Sequence, residues 1–324
     1  MDDFLRENYG LASCRLEPLS GGRMNRLWRC GPWVVKLYDH GQVPRAHAER
    51  ALRTQWLAAE HGLPVPAPLA TRGGELWAEH SEGLVAVMPF VTGTRRERGR
   101  LNRAEAAALG EFIGRLHAVL REIRWDRMEA PHPPDPARTV ADWAELKRLA
   151  LAQPTQAEFD ALVVEFADHV AATLARPVEP PWESVPWQLC HRDLHLDNVL
   201  FNESGRVAGL LDFDNLGPWW PGVELMMAWN LVFNADPGAP SLTPEAAEFF
   251  RAYRRKGTLP DAVWRGLPDA YRHVLLSLTW PVGQRFRAPE SFRPEWVEML
   301  SFRLGAARWL ERTGKEMGDW LADN

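Results

Sequence analysis

The sequence predicts an α+β fold of two lobes, a small antiparallel-sheet lobe with one main helix at residues 1–92 and a larger, mostly helical lobe at 93–324. Three observations lead there. A chain of 324 residues is long for one compact core. Alternating apolar residues mark the stretch from about 12 to 92, and apolar residues at helical spacing mark most of the remaining chain.

The first feature along the chain is Leu19-Ser20-Gly21-Gly22-Arg23-Met24-Asn25, which joins two candidate strands. Paired glycines permit positive φ and let backbone N–H groups approach a phosphate, and a plain hairpin turn explains Gly21-Gly22 equally well. Val34-Val35-Lys36-Leu37-Tyr38 alternates, so Val34, Lys36 and Tyr38 share one face and Val35 and Leu37 the other. A lysine in the middle of such a strand needs an anionic partner. Ala46 to Glu60 reads as a helix with Leu52, Gln55, Trp56 and Ala59 on one stripe and Glu49 in its first turns. It stops at His61-Gly62, before Leu63-Pro64-Val65-Pro66. Leu84 to Gly93 reads as a buried strand ending in a glycine.

Beyond residue 93 the helical signal takes over. Leu109, Phe112, Ile113 and Leu116 form an amphipathic stripe, and Glu158 to Leu174 and Arg293 to Leu310 are similar. Pro131 to Pro136 is read as a surface loop.

Chemistry concentrates in His191-Arg192-Asp193-Leu194-His195-Leu196-Asp197-Asn198, with Leu210-Leu211-Asp212-Phe213-Asp214 shortly beyond. Val199–Phe201 and Val207–Leu211 read as two short strands around the turn Asn202–Gly205, a hairpin that returns Asp212 to the side of Asn198. The His-x-Asp-x-x-x-x-Asn spacing is that of a kinase catalytic loop, in which the aspartate takes the proton of an acceptor hydroxyl and the asparagine holds Mg²⁺. One Asp and one Asn suffice, because Mg²⁺ takes hard oxygens and keeps waters and nucleotide phosphates as its other ligands. Two other readings stand beside it: a polar loop of ordinary caps and turns, and a transition-metal cluster of His191, Asp193, His195 and Asp197. With a kinase site, Lys36 would contact the α/β-phosphates of a nucleotide and Glu49 would orient it. The backbone around Met88 and Phe90 would then receive adenine as the chain crosses between lobes.

Composition narrows the classes. Hydrophobic residues make up 46% and charged residues 25%, as in soluble globular proteins. A net charge of −5 speaks against a nucleic-acid binder. Cys14, Cys30 and Cys190 lie far apart without Cys-x-x-Cys spacing, so neither a zinc site nor a disulfide framework is indicated. The acidic, polar start resembles no signal peptide, and no apolar run reaches the ~18 residues of a membrane span. A cytoplasmic location, with no membrane partner, is the expectation. Most of the sixteen tryptophans are expected to pack in the interior.

Taken together, Leu-Ser-Gly-Gly-x-x-Asn at 19–25, Val-Val-Lys36, the Glu49 helix, Gly-Leu-Pro-Val-Pro at 62–66, Leu-His117-Ala, the 191–198 loop and Leu-Leu-Asp212-Phe-Asp214 resemble the aminoglycoside phosphotransferase and choline kinase family. The resemblance implies a protein-kinase-like fold and an ATP- and Mg²⁺-dependent phosphotransferase acting on a hydroxyl of a small molecule, with GTP as an alternative nucleotide. It implies Asp193 as catalytic base, Asn198 and Asp212 as metal ligands, Lys36 on the phosphates and His191 as a brace for the loop. Asp214 stands where protein kinases carry the glycine of Asp-Phe-Gly, and no Ala-Pro-Glu segment comes after it, which disfavours a protein Ser/Thr kinase. A nucleotide-binding pseudokinase is the other alternative, against which the retained site residues speak. The family's aspartate in an Asp-Leu-Ala helix is replaced here by Glu224 in Pro221-Gly-Val-Glu-Leu. Asp214, Trp219, Trp220 and Glu224 are the candidates on the substrate side, with tryptophans suited to stack on a sugar or cage an alkylammonium.

Overall fold

The computed structural model describes residues 1–11, 15–19, 25–152, 155–174, 182, 185–236 and 241–324. Its N-terminal part is an antiparallel sheet of β1 (Glu17–Pro18), β2 (Arg26–Cys30), β3 (Trp33–Asp39), β4 (Ala78–His80) and β5 (Gly83–Pro89), in the order β1-β2-β3-β5-β4. The period of two along β3 divides the two faces as expected. Val35 and Leu37 join Val85 and Val87 against Leu5 and Tyr9 of α1 (Asp2–Tyr9). Tyr38 joins Leu84, Ala86 and Met88 against Ala48 and Leu52 of α2 (Arg45–Glu60). Lys36 lies on this second face, opposite the small Ala86 in the register.

Helices dominate the rest: α3 (Arg103–Glu122), α4 (Pro136–Ala152), α5 (Ala157–Leu174), α6 (Pro221–Phe233), α7 (Pro244–Lys256), α8 (Leu267–Ser277), α9 (Val282–Arg287) and α10 (Glu295–Asp323). Asn102 and Glu105 start α3 with a reciprocal capping box. Between α5 and α6 sit two small antiparallel pairs, β6 (Gln188–Cys190) with β9 (Gly217–Trp219), and β7 (Val199–Phe201) with β8 (Val207–Leu210). The main core runs from α3 through these strands to α6, α7 and α8. A second core forms among α4, α5 and α10, where Trp143 stacks on Phe166 at 4.3 Å.

Several local expectations change. α1 adds a second helix to the sheet, α4 begins at Pro136 directly after the proline-rich loop, and α10 continues past Leu310 to Asp323. Proline at a first helical position is a start signal as well as a break. Trp56 points outward at 37% exposure instead of joining the buried stripe of α2. Cys30 is disulfide-bonded, although the spacing of the cysteines indicates no disulfide framework.

α3 and α7 approach so closely that a Cβ on Gly110 would stand 2.1 Å from the carbonyl oxygen of Phe249. Gly110→Ala should therefore push the helices apart and destabilise the protein by about 1–3 kcal/mol. Urea unfolding would show a lower midpoint at unchanged slope; an unchanged midpoint would refute the tight crossing.

Candidate active site

The β6 strand delivers the chain to His191, and the loop to Asn198 then enters β7. Pairing of Val199 with Leu210 and a bond from Leu211 N–H to the Asn198 carbonyl (2.8 Å) set Asn198 beside the next residue along, Asp212. The Asn198 amide nitrogen donates to the Asp193 carbonyl oxygen at 3.0 Å and to its Oδ2 at 3.1 Å. The carboxylates and amide at 193, 198 and 212 thus lie together, with Asn198 nearly buried. With its nitrogen engaged by Asp193, the amide has its oxygen left to accept. From the sheet, Lys36 Nζ reaches Asp212 Oδ1 at 3.3 Å and Asp214 Oδ1 at 2.7 Å.

Two residues of this segment hold positive φ without being glycine, Arg192 at 66° and Asp212 at 60°. Such conformations cost on the order of 1–3 kcal/mol and persist only where surroundings impose them. At Arg192 the imposing group is Glu224, whose carboxylate accepts the N–H of Arg192 and, at 3.3 Å, that of His191. His191 itself is fully buried, with Nε2 3.0 Å from the Leu211 carbonyl and its ring edge-on to Phe213 at 4.9 Å. It braces the loop against the strand that carries Asp212.

The charges sort themselves around Lys36. Burial opposes its ammonium, yet Tyr38, Asp214 and Asp212 outweigh burial and hold it above the ordinary lysine value. Burial also presses on both aspartates. Asp212 nevertheless stays below the usual carboxylate range through Lys36 and hydrogen bonds from 214, whereas burial and the neighbouring Asp212 push Asp214 up. At Asp193 burial is overcome by His195, whose Nε2 lies 3.4 Å from Oδ1, so the carboxyl sits below its ordinary value. Asp193 in turn lifts His195 above the usual imidazole value against the pull of burial.

Several residues singled out from sequence are placed differently. Glu49 does not meet Lys36. It pairs with Arg45 at 2.8 Å, while His47, two positions earlier, reaches the Asp214 carbonyl at 2.5 Å and Lys36 takes its counter-charges from 212 and 214. Asp214 faces the sheet, where Asn25 also donates to its carboxylate, and so turns away from a substrate role. Trp220 is buried against Trp182 at 4.6 Å, and Glu224 is fully buried beneath the loop, which removes both from direct substrate contact. Trp219 is partly exposed under the Arg192 guanidinium, 5.8 Å from its ring. Phe90 donates its N–H to the Pro32 carbonyl at 2.8 Å, so that group is already engaged, and the Met88 side chain packs toward Gln55. Gly21 and Gly22 lie outside the described residues. Asn25 and His117 entered the sequence reading only as motif members without a role, and His47 and Tyr253 carried no signal there.

A model of the "phosphotransferase enzyme family" matches residues 15–266. A homoserine kinase of Afipia carboxidovorans is 28% identical over 290 residues, covering 85% of this chain and 81% of its own. Among solved structures, an amicoumacin kinase in complex with AMP-PNP, Ca²⁺ and its ligand superposes with a TM-score of 0.66 at 16% identity, over 95% of this chain and 92% of that one. A spectinomycin phosphotransferase bound to ADP and spectinomycin gives 0.66 at 16% identity, over 96% and 97%. These likenesses establish the two-lobed, protein-kinase-like α+β fold.

The His195–Asp193 pair fixes a sign of pH dependence. The raised imidazole contributes stability that is present below the ordinary histidine value of about 6.5 and is lost as pH rises through its folded value. The depressed Asp193 contribution is lost as pH falls through its own. An NMR titration should place His195 above the ordinary value and return it toward that value in Asp193→Asn; an unshifted His195 would contradict the pairing.

Proposed function

The chain belongs to the phosphotransferase enzyme family and is a small-molecule kinase acting on a hydroxyl group; we propose that it moves the γ-phosphoryl group of ATP, with Mg²⁺, onto a small hydroxy amino acid of the homoserine class. The observation that carries the reaction is the convergence of Asp193, Asn198 and Asp212 under Lys36. Hard oxygens from one carboxylate and one amide suit Mg²⁺, which would neutralise charge on the phosphates. Asn198 and Asp212 would hold the ion, and Lys36 would leave its aspartates to meet the nucleotide phosphates. Asp193, kept ionised, accepts the hydroxyl proton as the acceptor oxygen bonds to phosphorus and the bond to the ADP oxygen breaks. The loose transition state places most of the work on positioning and charge neutralisation.

In this reading residues 1–92 cover the nucleotide and residues 93–324 supply the chemistry and the acceptor site, with no nucleic acid or membrane as partner. None of the described helices is long and apolar enough to cross a membrane. The homoserine class is supported by the name of the Afipia relative and by residues 251–324, where Lys and Arg outnumber Asp and Glu. A basic tilt suits a carboxylate-bearing acceptor better than a polycationic aminoglycoside.

A coupled ADP-release assay across homoserine, amino alcohols, sugars and aminoglycosides tests the acceptor. Homoserine should turn over fastest, and a clear preference for an aminoglycoside would overturn that choice. Asp193→Asn and Asp212→Asn should each lower kcat by about 10²–10⁴-fold while the protein stays folded, and chelation of divalent ions should stop turnover. Near-wild-type kcat in either variant would remove the assigned roles.

A further inference from the structure

Arg192 is not the residue its backbone would take most readily. Its φ of 66° is left-handed, a conformation that glycine adopts without cost and arginine does not. Backbone bonding gives no reason for a side chain here, since glycine would donate the same N–H to Glu224. What keeps an arginine at 192 therefore acts through its guanidinium.

That group runs along β9 on an exposed residue. It lies 5.8 Å from the centre of the Trp219 ring, and a Cβ on Gly217 would stand 3.0 Å from its Nη1. Gly217 pairs with Cys190 in the β6–β9 ladder, and a glycine inside a strand weakens it and often marks the close approach of another group. Here the approaching group is the Arg192 side chain. The two positions carry opposite exceptions, a side chain where glycine is easy and a glycine where a side chain is usual, and both serve one placement of the guanidinium. Among the described residues no carboxylate pairs with it. An exposed ring and an exposed guanidinium gain little from each other, so Trp219 steers the fork without satisfying its charge.

Lys36 reaches the site from the sheet, whereas Arg192 belongs to the helical region and is the immediate neighbour of Asp193. A guanidinium stays charged at any working pH, and its paired N–H donors match the two oxygens of a carboxylate. An acceptor with a hydroxyl at one end and a carboxylate at the other could meet Asp193 and Arg192 together. We propose that Arg192 binds the carboxylate of the acceptor and sets a preference for hydroxy amino acids over plain amino alcohols, with Gly217 making room for its guanidinium. This role rests on the homoserine-class reading above.

The full-chain enzyme is assayed with homoserine and with the amino alcohol that homoserine becomes on loss of its carboxylate, and the ratio of the two kcat/KM values is compared among variants. Arg192→Gln should lower that ratio about 30- to 100-fold, mainly through KM for homoserine, while KM for ATP stays within about twofold. Arg192→Lys keeps the charge but not the fork and should lose about three- to tenfold. Gly217→Ala leaves the arginine in place but crowds its Nη1, and should lose about as much. Should Arg192→Gln not fold, Arg192→Gly, suited to left-handed backbone, is read in its stead with the same expectation. If the wild type prefers homoserine and the ratio does not move in the glutamine or glycine variant, the role of Arg192 is overturned and the homoserine reading stands. A rise in KM for ATP in place of KM for homoserine would assign the guanidinium to the nucleotide's phosphates and overturn it as well. Wild-type preference for the amino alcohol, or turnover of neither, would remove the homoserine reading and the role of Arg192 with it.

Discussion

A lysine ammonium buried in the middle of a strand has to meet negative charge, and the carboxylates that Lys36 meets come from across the chain, at positions 212 and 214. That requirement fixes where sheet and helical region join. An unpaired buried cation would be costly, so the segment carrying the two aspartates is drawn to the sheet. Asn25 and His47 fasten Asp214 from the same side, one by its carboxylate and the other by its carbonyl. An ammonium held between two acids is also one that nucleotide phosphates can claim, since they offer charge of the same sign at the same place.

The helical region answers with a rigid seat for the opposing groups. Two residues hold left-handed backbone, Arg192 beside Asp193 and Asp212 itself. Each is imposed by neighbours: Glu224 from below at one, and hairpin pairing with the 191 ring at the other. Because Gly110 admits α7 against α3, the residues further along those helices, His117 and Tyr253, come within hydrogen-bond reach. Packing of helices far from the chemistry thereby reaches the loop through Glu224.

How much the sequence discloses depends on how local each signal is. The nearness of Asn198 and Asp212 needs only two short apolar strands and the turn at Asn202–Gly205, and the structure has that hairpin. The two faces of β3 come from a period of two. The need of Lys36 for an anion was legible, but the identity of that anion was not. Glu49 and His47 are two positions apart, about 200° around a helix, and nothing local tells which of them faces inward. Trp220 and Glu224 read as substrate-side candidates, because their burial depends on how β9 and α6 dock, which no spacing encodes. The link from Glu224 to His117 and on to Tyr253 spans 107 and then 136 residues in sequence, beyond the reach of any periodic pattern. α4 was hidden by prolines that read as a loop up to the residue that opens the helix.

The most direct measurement is a crystal structure with a non-hydrolysable ATP analogue and Mn²⁺, the ion located by its anomalous signal. Manganese is expected between the Asn198 amide oxygen and the Asp212 carboxylate at about 2.1–2.2 Å, with Lys36 on the phosphates and Asp193 open toward the acceptor side. Manganese bound elsewhere, or a nucleotide seated away from Lys36, would contradict that arrangement.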